Sequence, residues 1–220
     1  MARDEERVAR AHEEPIVGSL PDVPGIGVAM RLTPGLGVHL RGLADELLVH
    51  DFPGATIARH EREMLATAVS AANDCFFCMD SHGAFANALL ERTGATEDGP
   101  LIDVLKTGSS TGFEPKMQAL LHIARTVRQD PLQLTAVDVT TAIAAGATDG
   151  DIQLAVLIAS GFSMFNRLVD GLRARTAPTT EAYRERAGEI AANGYSAPSP
   201  SGAAPASGAR TAGADEVGRG

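Results

Sequence analysis

The chain has 220 residues, 44% of them hydrophobic and 21% charged, which suits a single domain with one sizeable core and tails. A formal net charge of -9 and a pI near 5.1 argue against a nucleic-acid backbone as partner, because that requires clustered Lys and Arg. No basic stripe is present for an anionic membrane. Residues 1–14 are charged and lack the apolar stretch of a secretory signal, and no run reaches the roughly 18 to 20 apolar residues of a membrane span. A cytoplasmic protein with no membrane partner is therefore expected.

Residues 15–35 interleave Pro15, Pro21, Pro24 and Pro34 with glycines, which excludes a continuous helix and predicts an extended arm over the surface. Its apolar Ile16, Val17, Leu20, Val23, Ile26, Val28 and Met30 are more than a small helical core covers, so the arm is expected to pack in a homo-oligomer. From Leu36 the pattern changes. Leu36, Leu40, Leu43, Leu47 and Leu48 recur at helical spacing and predict a helix ending near Pro53. A second helix is predicted over about 56–72, with Met64, Leu65, Ala68, Val69 and Ala72 on one face. Asn73-Asp74, residue types of turns and N-caps, interrupts it before a third helix over about 75–92.

Later start signals are explicit. Pro115 suits the first turn of a helix over about 114–128. Thr135 with Asp138, and Thr148 with Asp151, form acidic capping boxes for helices ending at Gly146 and near Leu172. A last helix over about 180–193 stops at Gly194. No stretch sustains the period-two alternation of strands, so the domain is predicted to be all-α. Beyond Ser196, Ala, Gly, Ser and Pro dominate and apolar anchors vanish, predicting disorder. The expected division is an arm over 1–35, a helical domain over 36–195 and a disordered tail over 196–220.

The only two cysteines are Cys75 and Cys78, with His82 four residues after the second and Glu63 twelve before the first. In a cytoplasmic setting such a C-x-x-C pair points to catalysis or metal binding rather than a structural bridge. On a helix turning about 100° per residue, Cys78 and His82 differ by roughly 40° and Cys75 and His82 by roughly 20°, so all three share a face. Glu63 would lie about 120° away and about 18 Å along the axis of one straight helix. It reaches the thiols only if the chain reverses at Asn73-Asp74. A free thiol with a pKa of about 8.5 is only about 3% ionised at pH 7, and a helix N-terminus lowers that pKa within the range known for C-x-x-C pairs. His82 is placed to take or relay the thiol proton, and Glu63 to orient the imidazole. Redox catalysis is the leading expectation. The rivals are zinc ligation by Cys75, Cys78, His82 and Glu63, and a non-enzymatic scaffold whose dithiol senses redox state.

The segment from Glu63 to His82 resembles the core of the AhpD-like alkylhydroperoxidases of the carboxymuconolactone decarboxylase superfamily. Their pattern is Glu, eleven residues, Cys, two residues, Cys, three residues, His, and every spacing matches. Residues 30–175, including Glu61-Arg62-Glu63 and the stretch from Phe165 to Asp170, resemble most the peroxidase-related branch. The resemblance implies an all-α AhpD-like fold, trimers or hexamers, and thiol-dependent reduction of hydrogen peroxide or organic hydroperoxides. By position Cys78 would attack, Cys75 would resolve, and His82 with Glu63 would relay protons. A lipoyl or thioredoxin-like dithiol would be the reductant. No haem, flavin or nicotinamide motif is present, so no cofactor is expected. Phe76 and Phe77 stand where some members carry a histidine, which makes the mouth of the site apolar. Decarboxylases proper lack the Cys pair, so lactone decarboxylation is not expected.

Of the remaining candidates, His39, His50 and His60 are read as solvated or capping, His122 as packed on a helix face, and Asn166 and Arg167 as joining helices. The Glu5-Glu6 and Glu13-Glu14 pairs are read as solvated charge.

Overall fold

Helix boundaries in this protein follow its caps and breakers. A computed structural model describes residues 20–176 and 180–196. Among them run α1 (Gly27–Leu32), α2 (Pro34–Leu48), α3 (Arg59–Ala72), α4 (Phe76–Thr93), α5 (Gly99–Lys106), α6 (Pro115–Gln129), α7 (Ala136–Ala144), α8 (Asp149–Gly171) and α9 (Thr180–Asn193). Single 3-10 turns occupy Thr96–Asp98 and Pro131–Gln133, and no strand occurs among the described residues. The protein is all-α, as its periodicity predicts.

Both capping boxes form: the Thr135 and Thr148 hydroxyls accept from the N–H of Asp138 and Asp151, whose carboxylates accept in return from the threonine N–H. Helix α3 begins at Arg59 rather than near residue 56 for a physical reason. The N–H groups of Thr56 and Ile57 donate to Asp151 Oδ1 at 2.6 and 3.0 Å, so the segment is held extended against the start of α8. The predicted apolar face of α2 divides, with Leu40, Leu47 and Leu48 buried but Leu36 and Leu43 exposed. Helix α5 lies where no element was predicted; it opens on Pro100 and buries Ile102 and Leu105.

The segment read as an extended arm is partly helical. Pro24 and Pro34 confine α1 to six residues, but Val28 and Ala29 are buried, and Val28 packs with Cys75, Cys78, Val169 and Ala174. Ile26 and Met30 also pack on the chain's own core. Leu20 and Val23 pack against the Val28 cluster, so five residues, Leu20, Val23, Ile26, Val28 and Met30, drop out of the surface that the oligomer expectation counted. Ile16 and Val17, the acidic pairs near residues 5 and 13, and nearly all of the predicted tail lie outside the described residues.

The core lies where α3, α6 and α8 pack together, around Leu65, Ala66, Leu120, Leu121, Leu154 and Ile158. Helix α8 is long and apolar enough to cross a membrane by composition. Here it is a core helix, with Ile152, Leu154, Ala155, Ile158, Phe162 and Phe165 buried inside the protein.

Asp151 is the main polar fastener of this core. It is completely buried and accepts from the Thr56 and Ile57 N–H groups, from Thr56 Oγ1 at 2.9 Å and from Lys116 Nζ at 2.9 Å. Burial alone would raise its carboxyl, but the Thr56 N–H and the Lys116 ammonium outweigh burial and hold it below the usual carboxylate range. Asp151→Asn would turn an amide toward N–H donors and strand Lys116, so urea unfolding is expected to show a loss of about 3 kcal/mol or more. A carboxyl depressed in the folded state stabilises above its unfolded pKa of about 3.9 and loses that contribution as pH falls through the folded value. The difference between wild type and Asp151→Asn should therefore shrink below about pH 4.

Candidate active site

Helix α3 ends in the paired bonds of a Schellman motif. The N–H of Asp74 donates to Ala71 O at 3.0 Å and that of Cys75 to Ser70 O at 3.0 Å. Asp74 adopts the left-handed conformation, φ 58°, that this motif requires. The chain then turns back, with Cys75 as N-cap of α4 and Cys78 in its first turn. The reversal predicted from Asn73-Asp74 thus forms and lays α4 along α3. A polar chain pins the turn to α8: Arg128 Nε donates to Asn73 Oδ1, Asn73 Nδ2 to Asn166 Oδ1, and Asn166 Nδ2 to Ser70 Oγ, at 2.7, 2.8 and 3.0 Å. Asn166 joins helices as expected, whereas Arg167, among the described residues, reaches only Ser163 O on its own helix.

Antiparallel packing of α3 and α4 brings Glu63 to His82. The carboxylate is completely buried, and its Oε2 lies 2.7 Å from His82 Nδ1. With Nδ1 engaged, Nε2 is left for the cavity. The second carboxylate oxygen accepts from the phenol of Tyr195 at 2.7 Å, and that phenol also lies 3.3 Å from His82 Nδ1. Burial and the neighbouring Glu63 carboxylate push the Tyr195 phenol well above its ordinary pKa, so it remains a donor.

Sequence reasoning passed over Tyr195. It sits just past α9, and two contacts from the front of the chain hold it there. Asp45 accepts the N–H of Tyr195 at 2.6 Å and of Ser196 at 2.9 Å. The Arg59 guanidinium donates to the carbonyls of Ala191 and Ile190, the last turn of α9, where a cation also suits the helix dipole. A tyrosine directly after a helix stop, ahead of a tail without aromatics, was the only available signal.

His82 is set among rings: Phe162 and Phe85 meet it edge-on at 4.6 and 5.2 Å between centroids, and Tyr195 lies over it at 6.1 Å. These contacts fix the imidazole plane. The same rings wall a cavity of about 170 Å³ that Cys78, Ser81 and His82 border. Phe77, one of the two residues between the cysteines, lines it as well. Gly25 has φ 56°, and a Cβ there would overlap the Phe77 ring, so the N-terminal segment rests directly on the C-x-x-C turn.

The two cysteines differ in their surroundings. Cys78 borders the cavity, whereas Cys75 is fully buried behind it and is not among the lining residues. Both thiols are free. A hydrogen bond to Cys78 and burial push the Cys75 thiol far up, which keeps its proton in place.

All four residues singled out from the sequence therefore meet here. Among the described residues no group of three or more His, Cys, Asp and Glu side chains is arranged to hold a metal ion, and Glu63 and His82 are committed to each other and to Tyr195. Two other histidines have partners that the sequence did not indicate: His50 meets Glu46 and His122 meets Asp138, both on the surface.

Residues 40–126 match the family model described as the carboxymuconolactone decarboxylase family. No curated protein gives a match. Among solved structures, the chain is similar to the alkylhydroperoxidase AhpD core of an uncharacterised peroxidase-related protein from Ralstonia eutropha, at 23% identity and a TM-score of 0.62, over 76% of this chain and 82% of that one. It is also similar to an uncharacterised peroxidase-related protein from a Silicibacter species, at 20% identity and a TM-score of 0.62, over 79% of this chain and 93% of that one. Residues 40–126 thus resemble the carboxymuconolactone decarboxylase family, and the chain has the fold of AhpD-like, peroxidase-related proteins.

Proposed function

We propose that the protein is a thiol-dependent peroxidase that reduces hydrogen peroxide or organic hydroperoxides through a Cys75/Cys78 dithiol cycle. The observation that carries this reading is the unequal placing of the thiols: Cys78 borders a cavity beside His82, while a protonated Cys75 waits behind it. In the first step the Cys78 thiolate attacks the terminal peroxide oxygen. The O–O bond breaks, Cys78 becomes a sulfenic acid, and the departing oxygen takes a proton from His82 and leaves as alcohol or water. In the second, Cys75 displaces hydroxide from the Cys78 sulfenic acid, water is released and a Cys75–Cys78 disulfide forms.

Glu63, His82 and Tyr195 form the proton relay. His82 Nε2 draws the proton from Cys78, and Glu63 holds the imidazole and balances its positive charge. Tyr195 donates to the second oxygen of the Glu63 carboxylate and so completes its hydrogen bonding. The cycle closes when an external dithiol, of lipoyl or thioredoxin-like type, reduces the disulfide. We assign this activity to the cytoplasm and to a homo-oligomer, a trimer or hexamer. Leu36, Val38 and Leu43 on α2 and Leu157 and Met164 on α8 are exposed and supply apolar surface for it.

The test is peroxide consumption by the full chain with a panel of dithiol donors. Turnover with cumene hydroperoxide and at least one donor is expected. Reversible oxidation of the pair without turnover on any donor would favour the redox-sensing scaffold instead.

A further inference from the structure

Away from Cys78 the cavity is walled by Ile26, Met30, Phe85, Phe162, Phe165 and Ile190. Its volume of about 170 Å³ leaves room for on the order of ten non-hydrogen atoms, at one water-sized sphere per roughly 10 to 15 Å³. Hydrogen peroxide has only two. Two guanidiniums, those of Arg41 and Arg186, border the same space, and no carboxylate is among its lining residues. Arg186 is already matched, its Nη1 lying 2.6 Å from Glu189 Oε2. Arg41 is half-buried and has no hydrogen bond or ion pair among the described residues.

The place of Arg41 is provided for by the backbone. A Cβ at Gly37, one turn earlier on α2, would collide with the Met30 carbonyl oxygen and stand 3.3 Å from Arg41 Nη1. The protein as a whole carries a net charge of -9, so an unmatched guanidinium at a cavity that no Asp or Glu lines runs against the general field. A guanidinium without a partner at a low-dielectric cleft attracts an anion, and its planar fork suits a carboxylate.

We propose that the cavity takes an organic hydroperoxide bearing a carboxylate, with the acid group on Arg41, the hydrocarbon against the phenylalanines and the peroxide at Cys78. This rests on the peroxidase reading above and names its substrate class. The reaction converts the hydroperoxy acid to the corresponding hydroxy acid: the O–O bond breaks, one oxygen passes to Cys78, and the other leaves with a proton from His82.

Two measurements on the full chain test it. The first compares kcat/KM for an ω-hydroperoxyalkanoate of about six carbons, sized to the cavity, with that for its neutral methyl ester. Wild type is expected to prefer the acid by about tenfold to a hundredfold, as one charge-assisted pair provides, chiefly through KM. Arg41→Gln should bring the ratio near one, and Arg41→Lys should restore it in part. The second needs no turnover: hexanoate should slow iodoacetamide alkylation of Cys78 more than methyl hexanoate does, and Arg41→Gln should remove that protection. Equal kcat/KM for acid and ester in wild type, or a preference that survives Arg41→Gln, overturns the proposal while leaving peroxidase activity in place. Protection by hexanoate with no turnover of any peroxide overturns the peroxidase reading and upholds carboxylate binding at Arg41.

Discussion

Cys78→Ser is expected to abolish peroxide consumption, a fall of roughly three orders of magnitude or more for loss of a nucleophile, whereas Cys75→Ser should permit one oxidation and then stall. The asymmetry follows from position. Only Cys78 borders the cavity, and the Cys75 proton is held by its hydrogen bond to Cys78 and by burial. A peroxide entering the cavity therefore meets Cys78 first, and Cys75 acts only on the sulfenate formed there. Mass spectrometry after one equivalent of peroxide should find a trapped sulfenate on Cys78 in the Cys75→Ser protein. A sulfenate on Cys75 in Cys78→Ser, with Cys78 inert in the reciprocal variant, would exchange the two roles.

The relay should account for the next largest effect. Glu63→Gln and His82→Ala are each expected to slow alkylation of Cys78 at neutral pH by about a hundredfold, the lower end of the range for a positioned acid-base group. The sign is set by what is removed. Without a base to receive the proton the thiol ionises only at higher pH, so much of the loss should return in alkaline buffer, where hydroxide does the same work. Because the Glu63 and His82 side chains are joined by one 2.7 Å bond, the double variant should cost little more than the worse single variant. Tyr195→Phe keeps the ring and removes one of the two donors to Glu63, so its effect should be smaller and in the same direction. Matching pH profiles for wild type and all variants would leave the dithiol acting without a relay.

Much of this site was legible because its first four members are local. Cys75, Cys78 and His82 share one helix, and Glu63 is carried back by a turn whose residue types declare it. The Schellman bonds at Asn73-Asp74 are short-range chemistry that a sequence displays directly. What stayed hidden depends on long-range closure. By spacing alone Asp45 is one more polar residue on an amphipathic helix, but its carboxylate is almost buried and caps the chain at Tyr195 and Ser196. Helix α1 was hidden by its prolines: six residues between two breakers are too short to hold a helix alone, and it forms because Val28 and Ala29 find buried places. Likewise nothing in the α8 pattern distinguishes Phe162, which meets His82, from the other apolar residues of that face.

The phenol of Tyr195 reaches back across 132 residues to Glu63. On a ribosome the chain emerges from its N-terminus, and local helices form within microseconds while residues are added one at a time. Helices α3 and α4, with both thiols, are therefore made long before the residue that completes the hydrogen bonding of the Glu63 carboxylate. Until α9 docks on Arg59 and Asp45, that carboxylate has only His82 and whatever water reaches it. Completion of the reactive centre thus waits until Tyr195 has been added, and a chain released before Tyr195 would carry the dithiol without its finished relay.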